Sequence, residues 1–128
     1  MNNDLNAVFY GYGTCDSCRK ARKWLDAAGV GYTVVDIATQ PPGVEVLEAA
    51  LEAGFALGKL FNRSGRRYRE LDMKTRLPKM SEAEALELLA GDGMLVKRPI
   101  VFKAGVSQPE VTVGFDPDVY GAVWGAGR

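Results

Sequence analysis

The chemistry that this chain can carry centres on its two cysteines, Cys15 and Cys18, in the stretch YGYGTCDSCRKARKWL. A C-x-x-C pair can bind a metal, carry out thiol–disulfide exchange, or simply lie at a helix start. A zinc site takes four protein ligands when it is structural and three when it is catalytic. Because the chain has only these two cysteines and no histidine, carboxylates or a second subunit would have to complete the shell. The composition therefore argues against a metal site and favours thiol–disulfide chemistry.

The elements around the cysteines predict how they are positioned. Residues 7–10 are apolar and aromatic and predict a strand, residues 16–28 have one apolar helical face, and residues 32–37 predict a β-branched strand. This order is a βαβ unit with parallel strands. Cys15 then lies at the helix N-terminus, where free N–H groups and partial positive charge favour a thiolate, and Cys18 follows on the buried side.

That placement predicts an exposed attacking thiol and a sheltered resolving thiol. Two simpler interpretations stay open. Cys18 can be a small buried apolar residue, and Cys15 can be an unused surface thiol. Thr14 and Ser17, in the loop and first turn beside the pair, are candidate substrate-binding residues, since each can donate a hydrogen bond or only shape the turn.

The rest of the chain predicts the fold class. Helices are expected near residues 44–53 and 81–90, the second with Ser81 and Glu84 forming a capping box. A shorter apolar piece covers residues 55–61, and residues 62–80 are expected to be polar and irregular with at most one short turn. The two helices and the apolar piece give three inserted helical segments. Strands PIVFK and EVTVGF then predict an antiparallel pair before a last helix capped by Asp116. We predict one α/β, thioredoxin-like (glutaredoxin-like) domain over residues 1–128, a βαβ unit plus a ββα unit with a helical insertion at about 41–93.

Composition and charge limit the partners and the cellular location that we expect for the protein. The formal net charge is zero, and no apolar run approaches the ~20 residues of a membrane span. We therefore expect no membrane partner and no direct nucleic-acid partner. The first residues lack the charged and apolar regions of a signal peptide, so we expect a reducing cytoplasmic location. We also expect a monomer. Residues 59–79 nevertheless hold eight cations and two anions. This basic run is either a solvated helix face or a site for an anion or an acidic partner.

Several segments carry a resemblance to a known family. CDSCRKARKWL resembles the active-site helix of the arsenate reductase/Spx family, which has a thioredoxin fold with a helical insertion. The likeness continues in KLFNRSGRRYREL, LVKRPIV and VTVGFDPDVY, and covers nearly the whole chain. The family includes glutaredoxin-coupled arsenate reductases, glutathione-dependent thiol reductases and Spx-type regulators that bind RNA polymerase, so the resemblance implies one of these three functions.

The resemblance also implies roles for individual residues. Cys15 is similar to the family's nucleophile, and Cys18 to the partner with which some members form a redox disulfide. Pro99 is similar to a cis-proline beside the active site. Arg98 resembles an arginine that binds the oxyanion and stabilises the thiolate, and Arg63 resembles a second one.

One difference from the family bears on the substrate. Arsenate reductases carry a third arginine in the hairpin after the proline, but this segment, FKAGVSQPEV, has only Lys103 as a cation. A lysine is a point charge without the bidentate fork of arginine. The difference argues against arsenate and for a thiol or glutathione substrate.

Three functions are therefore expected from the sequence, in this order. The first is a cytoplasmic thiol–disulfide oxidoreductase that acts on a small thiol or disulfide, with no bound cofactor and with glutathione as co-substrate or glutaredoxin as partner. The second is an Spx-like redox-sensing regulator that binds the RNA polymerase α-subunit. The third is a glutaredoxin-coupled arsenate reductase.

Overall fold

A four-stranded mixed sheet forms the centre of the computed structural model, which describes residues 6–105 and 107–125. Its strands are β1 (Ala7–Gly11), β2 (Tyr32–Asp36), β3 (Ile100–Lys103) and β4 (Glu110–Val113), in the spatial order β2-β1-β3-β4. Strand β1 pairs parallel with β2 and antiparallel with β3, and β3 pairs antiparallel with β4. The predicted βαβ and ββα arrangement is thus confirmed. Residues 1–5, which bear on the expected lack of a signal peptide, lie outside the described range.

Six α-helices surround the sheet in the described residues, together with three short 3-10 turns. The helices are α1 (Asp16–Ala27), α2 (Val44–Glu52), α3 (Arg66–Glu70), α4 (Met73–Arg76), α5 (Glu82–Ala90) and α6 (Pro117–Val123), and the turns are Leu57–Leu60, Leu77–Lys79 and Gly93–Leu95. The predicted capping box of α5 is present, with Ser81 Oγ accepting from Glu84 N–H at 3.1 Å. Asp116 caps α6 as predicted.

The prediction that residues 62–80 are irregular was wrong, because this segment contains α3, α4 and a 3-10 turn. The three predicted helical segments are present as α2, the turn Leu57–Leu60 and α5, and α3 and α4 lie between them in addition. Helices of five and four residues are too short to show an apolar period and too short to be stable alone. Tertiary contacts stabilise them: Met73 is fully buried, and the Tyr68 ring packs edge-on against Phe61 at 6.2 Å.

Side chains alternate between the two faces of the sheet and build two apolar clusters. On one face, Phe9 and Val101 pack with Cys18 and Leu25 of α1 and with Trp124, which follows α6. On the other face, strand residues pack against the inserted helices; buried members of this cluster include Leu47, Phe61, Leu86 and Ile100. The sheet thus has a helical layer on each face, which is the thioredoxin-like plan with a helical insertion. No helix among the described residues is long and apolar enough to cross a membrane.

Two hydrogen bonds connect α6 and its end to strand β4. Trp124 Nε1–H donates to Thr112 Oγ1 at 3.0 Å, and Tyr120 O–H donates to the Gly114 carbonyl at 3.1 Å. The side chains of Trp124, Thr112 and Tyr120 are buried. Each hydrogen bond therefore pairs a buried polar group that would destabilise the fold if it had no partner. These bonds fix the end of β4, where the cleft described below begins.

Candidate active site

Cys15 is the N-cap residue of α1, as the strand–turn–helix pattern predicted. Its backbone is extended (φ −79°, ψ 122°), and its Sγ accepts a hydrogen bond from the Cys18 backbone N–H at 3.3 Å. The Cys15 N–H donates to the Tyr12 carbonyl at 3.1 Å, which closes the turn after β1. The side chain is partly exposed. The sulfur therefore accepts one of the free N–H groups at a helix N-terminus while remaining open to a substrate.

Cys18 lies one turn later and is only 2% exposed, as predicted for a sheltered thiol. It packs inside the cluster that contains Phe9 and Leu25. Burial raises the pKa of Cys18 to about 12, and a hydrogen bond to Cys15 and the negative charge of Cys15 act in the same direction. A hydrogen bond from the Tyr12 backbone and the positive charge of Arg98 oppose this rise in pKa. Cys18 is therefore a neutral thiol near neutral pH.

Strand pairing brings Arg98 and Pro99 to the cysteines. Tyr10 of β1 is opposite Ile100 of β3 in an antiparallel ladder, so the residues before Ile100 run alongside the loop after β1. The Arg98–Pro99 peptide bond is cis. The Arg98 guanidinium carbon lies 5.3 Å from the centre of the Tyr12 ring, within the range of a cation–π contact.

Two nitrogen atoms of Arg98, Nε and Nη1, are buried and have no hydrogen-bond partner among the described residues. Buried polar groups are almost always paired, and a buried guanidinium without a partner is costly. Arg98 therefore has two N–H donors left unpaired by the described residues, which an anion reaches only when the neighbouring side chains move aside. An oxyanion, a carboxylate or a substrate thiolate would satisfy them.

A cleft of about 860 Å³ extends from the first turn of α1 to the inserted segment. Ser17 lies at its cysteine end and Arg63 on its rim, so the structure brings these two predicted residues to one cleft. Apolar residues of the lining are Phe55, Phe61, Val113, Phe115 and Val119, and its cations are Lys59, Arg63 and Lys97. Thr14 is exposed and does not line this cleft, and neither does Lys103, which pairs with Glu110 in the hairpin ladder.

Sequence reasoning did not single out Lys59 or Lys97 as binding residues. For Lys97 a clue was available. Side chains of neighbouring residues in an extended segment point in opposite directions. Because Arg98 points toward the cysteines, Lys97 points the other way and is exposed on the cleft. For Lys59 no local pattern distinguished it from the other cations of residues 59–79.

Gly114 forms part of the cleft wall between these elements. Its φ is +76°, a left-handed conformation that favours glycine. Its N–H donates to the Pro99 carbonyl at 2.8 Å, and its carbonyl accepts from Tyr120. A Cβ at this position would also lie 3.3 Å from Cε of Lys97. The left-handed conformation is thus the main reason for glycine here, since the flexible Lys97 side chain need shift only slightly to admit a Cβ.

We expect Gly114→Ala to lower the free energy of unfolding by about 1–2 kcal/mol, because alanine is strained in the left-handed region. Urea denaturation followed by circular dichroism measures this change. Gly121→Ala is a matched control, since Gly121 lies in α6 with open space where a Cβ would point. That variant should instead gain about 0.5–1 kcal/mol. Equal effects of the two substitutions would contradict the argument.

The thiol of Cys18 should also make the reduced protein less stable in alkali. Its pKa is raised from 9.0 to about 12 on folding, so above pH 9 the unfolded chain loses a proton that the folded chain keeps. This contribution to stability is complete below pH 9 and is lost as the pH rises toward 12. Burial also raises the pKa of Tyr120 and Tyr32, but tyrosine loses its proton at higher pH, from an ordinary value of 10.0.

Urea midpoints of the reduced protein, measured between pH 7 and 10, should therefore fall above pH 9. In Cys18→Ala the fall between pH 9 and 10 should be smaller, because that titration is removed. Parallel curves for the two proteins would show that Cys18 does not contribute.

Comparison with known proteins agrees with this architecture. The model of the ArsC family matches residues 10–123. The protein YusI of Bacillus subtilis (strain 168) is 47% identical over 121 residues, which cover 94% of this chain and 99% of YusI. The crystal structure of an ArsC family related protein from Bacteroides fragilis superposes with a TM-score of 0.82 at 39% identity, covering 94% of this chain and 98% of that one.

A more distant relative is a regulator. The global transcriptional regulator Spx of Enterococcus faecalis (strain ATCC 700802 / V583) is 29% identical over 114 residues, 87% of this chain and 80% of that protein. The family model spans the cysteine helix, the insertion and the cis-proline strand together. On this match and on the thioredoxin-like architecture, the chain belongs to the ArsC family.

Proposed function

We propose that this protein is a thiol–disulfide oxidoreductase that uses Cys15 as nucleophile and Cys18 as resolving thiol. The Cys15 thiolate attacks one sulfur of a substrate disulfide and displaces the other as a thiolate, forming a mixed disulfide. Cys18 then attacks Cys15 Sγ and releases the second substrate thiol. Two electrons pass from the dithiol to the substrate, which leaves a Cys15–Cys18 disulfide. Glutathione or glutaredoxin, each a thiol reductant, returns the protein to the dithiol form in the cytoplasm.

The arrangement of the two cysteines carries this proposal: Cys15 is partly exposed at the N-terminus of α1, and the buried Cys18 donates its backbone N–H to Cys15 Sγ at 3.3 Å. Two of the causes that raise the pKa of Cys18, the hydrogen bond to Cys15 and the charge on Cys15, require a Cys15 that has not reacted. Once Cys15 is in a mixed disulfide, both causes disappear, while the positive charge of Arg98 continues to lower the pKa of Cys18. This change makes Cys18 easier to ionise at the step in which it must attack, while its burial, the largest cause of the raised pKa, still opposes ionisation.

The unpaired donors of Arg98 support an anionic group next to the reacting sulfur. That group can be a substrate carboxylate or the thiolate that leaves. An arsenate site would use three arginines, and the third position is represented only by Lys103, which does not line the cleft. The missing third arginine therefore favours disulfide substrates over arsenate.

A coupled assay tests the proposed function. Hydroxyethyl disulfide is supplied with glutathione, glutathione reductase and NADPH, and NADPH oxidation is followed. We expect protein-dependent oxidation well above the rate without protein. A parallel reaction with arsenate and glutaredoxin should stay at background. Arsenate-dependent turnover without disulfide turnover would replace this proposal with arsenate reduction.

The regulator named Spx among the relatives supports a second candidate function. In that case the Cys15–Cys18 disulfide would act as a switch, and the response would be altered binding to the RNA polymerase α-subunit. A pull-down of purified α-subunit by the reduced and oxidised protein tests it. Binding that changes with oxidation favours the regulator, and no binding in either state removes it.

A further inference from the structure

The cleft that Ser17 lines has a cationic rim, whose side chains have no ion-pair partner in the part of the chain that the structure describes. Lys59, Arg63 and Lys97 are exposed, and in the described part of the chain no carboxylate lies within ion-pair distance of any of them. The acid in the lining is Asp116, whose Oδ1 accepts from the Asp118 N–H at 2.9 Å at the start of α6. Three cations against one carboxylate engaged in capping make this rim complementary to a negatively charged ligand.

The inner wall of the same cleft is apolar. Phe55, Phe115 and Val119 are partly exposed there, and Val113 continues the wall at the end of β4. Glutathione has no apolar side chain that could cover such a wall, since its residues are glutamate, cysteine and glycine. A volume of about 860 Å³ also lies near the upper end of the ~300–1,000 Å³ of ligand clefts. Lining chemistry and size both indicate a ligand that combines negative charge with apolar side chains.

We propose that this cleft binds an extended acidic segment of a protein substrate and delivers its disulfide to Cys15. This inference rests on the proposed function and specifies its substrate class. Ser17 lines one end of the cleft, and Cys15, which does not itself line it, is the N-cap residue two positions earlier. A segment that continues past Ser17 therefore runs toward the turn that carries Cys15. Acidic side chains of the segment pair with Lys59, Arg63 and Lys97, and an apolar side chain covers Phe55 and Phe115.

The substrate is therefore a protein cysteine in disulfide linkage, flanked by acidic and apolar residues. Cys15 attacks this disulfide and one thiolate leaves. Attack by Cys18 then frees the second thiol, with the electron balance given above, and glutathione or glutaredoxin reduces the resulting Cys15–Cys18 disulfide. Glutathione is then the reductant rather than the occupant of the cleft.

Synthetic peptides test the substrate class. Each peptide has one cysteine linked to thionitrobenzoate, whose release is followed by absorbance. The first peptide has aspartates and a leucine near the cysteine, the second has lysines in place of the aspartates, and the third has serine in place of the leucine. We expect the first to have the highest kcat/KM with the full-length protein, by about 10-fold or more over the second, and to lose this advantage at high salt.

A charge reversal in the protein gives the matched test. Lys97→Glu should lower kcat/KM for the acidic peptide and raise it for the basic one, which reverses the preference. Lys74→Glu is the control, because Lys74 is an exposed cation of α4 outside the cleft lining and changes the net charge equally. The same preference in wild type, Lys97→Glu and Lys74→Glu would overturn the inference.

Binding without turnover separates this inference from the proposed function. Fluorescently labelled peptides with serine in place of cysteine are titrated with the protein, and anisotropy is measured. Acidic-peptide binding that is weakened by Lys97→Glu and not by Lys74→Glu supports the cleft assignment even if no disulfide is reduced. Turnover of hydroxyethyl disulfide without any preference among the peptides would leave the oxidoreductase standing and overturn the acidic-segment inference.

Discussion

Cys15→Ser should lower the rate of disulfide reduction by roughly 10³-fold or more, because it removes the nucleophile at the helix N-terminus. A serine hydroxyl is not ionised near neutral pH and does not exchange with a disulfide. The measurement is the coupled assay with hydroxyethyl disulfide and glutathione. Retention of more than a few per cent of the wild-type rate would show that Cys15 is not the attacking thiol.

Cys18→Ala should give a different result, which makes it the matched variant. Because Cys15 is intact, the first attack still occurs, but no resolving thiol is present within the site. The mixed disulfide with the substrate should therefore accumulate and be visible as a mass increase in intact-protein mass spectrometry. Excess glutathione should release it slowly.

Alanine suits this buried position because it adds no polar group to the cluster around Phe9 and Leu25. A far-ultraviolet circular dichroism spectrum like that of the wild type confirms that the variant is folded. Full wild-type turnover in Cys18→Ala without the mixed disulfide would assign Cys18 the role of a small core residue. It would also leave Cys15 to act with glutathione alone.

Arg98→Met should separate activity from stability. Removing the buried donors should lower kcat/KM for an anionic disulfide by about 10- to 100-fold, the range expected for hydrogen bonds to a charged group. The free energy of unfolding should stay unchanged or rise, because Nε and Nη1 are buried without partners in the described part of the chain. Urea denaturation measures the second quantity on the same samples.

Two further variants define what Arg98 does. Arg98→Lys keeps the charge but not the planar fork, so it should recover only part of the lost kcat/KM. Arg66→Met removes an exposed arginine of α3 outside the cleft, and its kcat/KM should equal that of wild type. A large loss of stability in Arg98→Met with unchanged kcat/KM would show that Arg98 serves only the packing against Tyr12.

Local patterns predicted the strands, the long helices and the cysteine turn. Strand β1, helix α1 and strand β2 follow from short-range periodicity and from glycine stops, and the caps of α5 and α6 follow from Ser81, Glu84 and Asp116. These features depend on residues a few positions apart, so the sequence contains all the necessary information. The placement of Cys15 at the N-cap and of Cys18 on the buried face of α1 was predicted for the same reason.

The short helices α3 and α4 could not be predicted in this way, because their stability comes from contacts such as those of Met73 and Tyr68. The cleft is a similar case. Lys59 and Lys97 are far apart in the chain, and only packing of the insertion beside the end of β4 places both on one rim.

The sequence by itself thus determined a βαβ unit with one accessible and one sheltered cysteine at a helix start, since strand, turn and cap chemistry are local. The family resemblance implied Arg98 near that pair, but only the tertiary structure decided how Arg98 is held there and which of its atoms are paired. Antiparallel pairing of β3 with β1 brings Arg98 to Tyr12 and the cysteines, and leaves its Nε and Nη1 without partners in the described residues. Long-range strand register and packing set these distances, and neither is encoded in a local pattern.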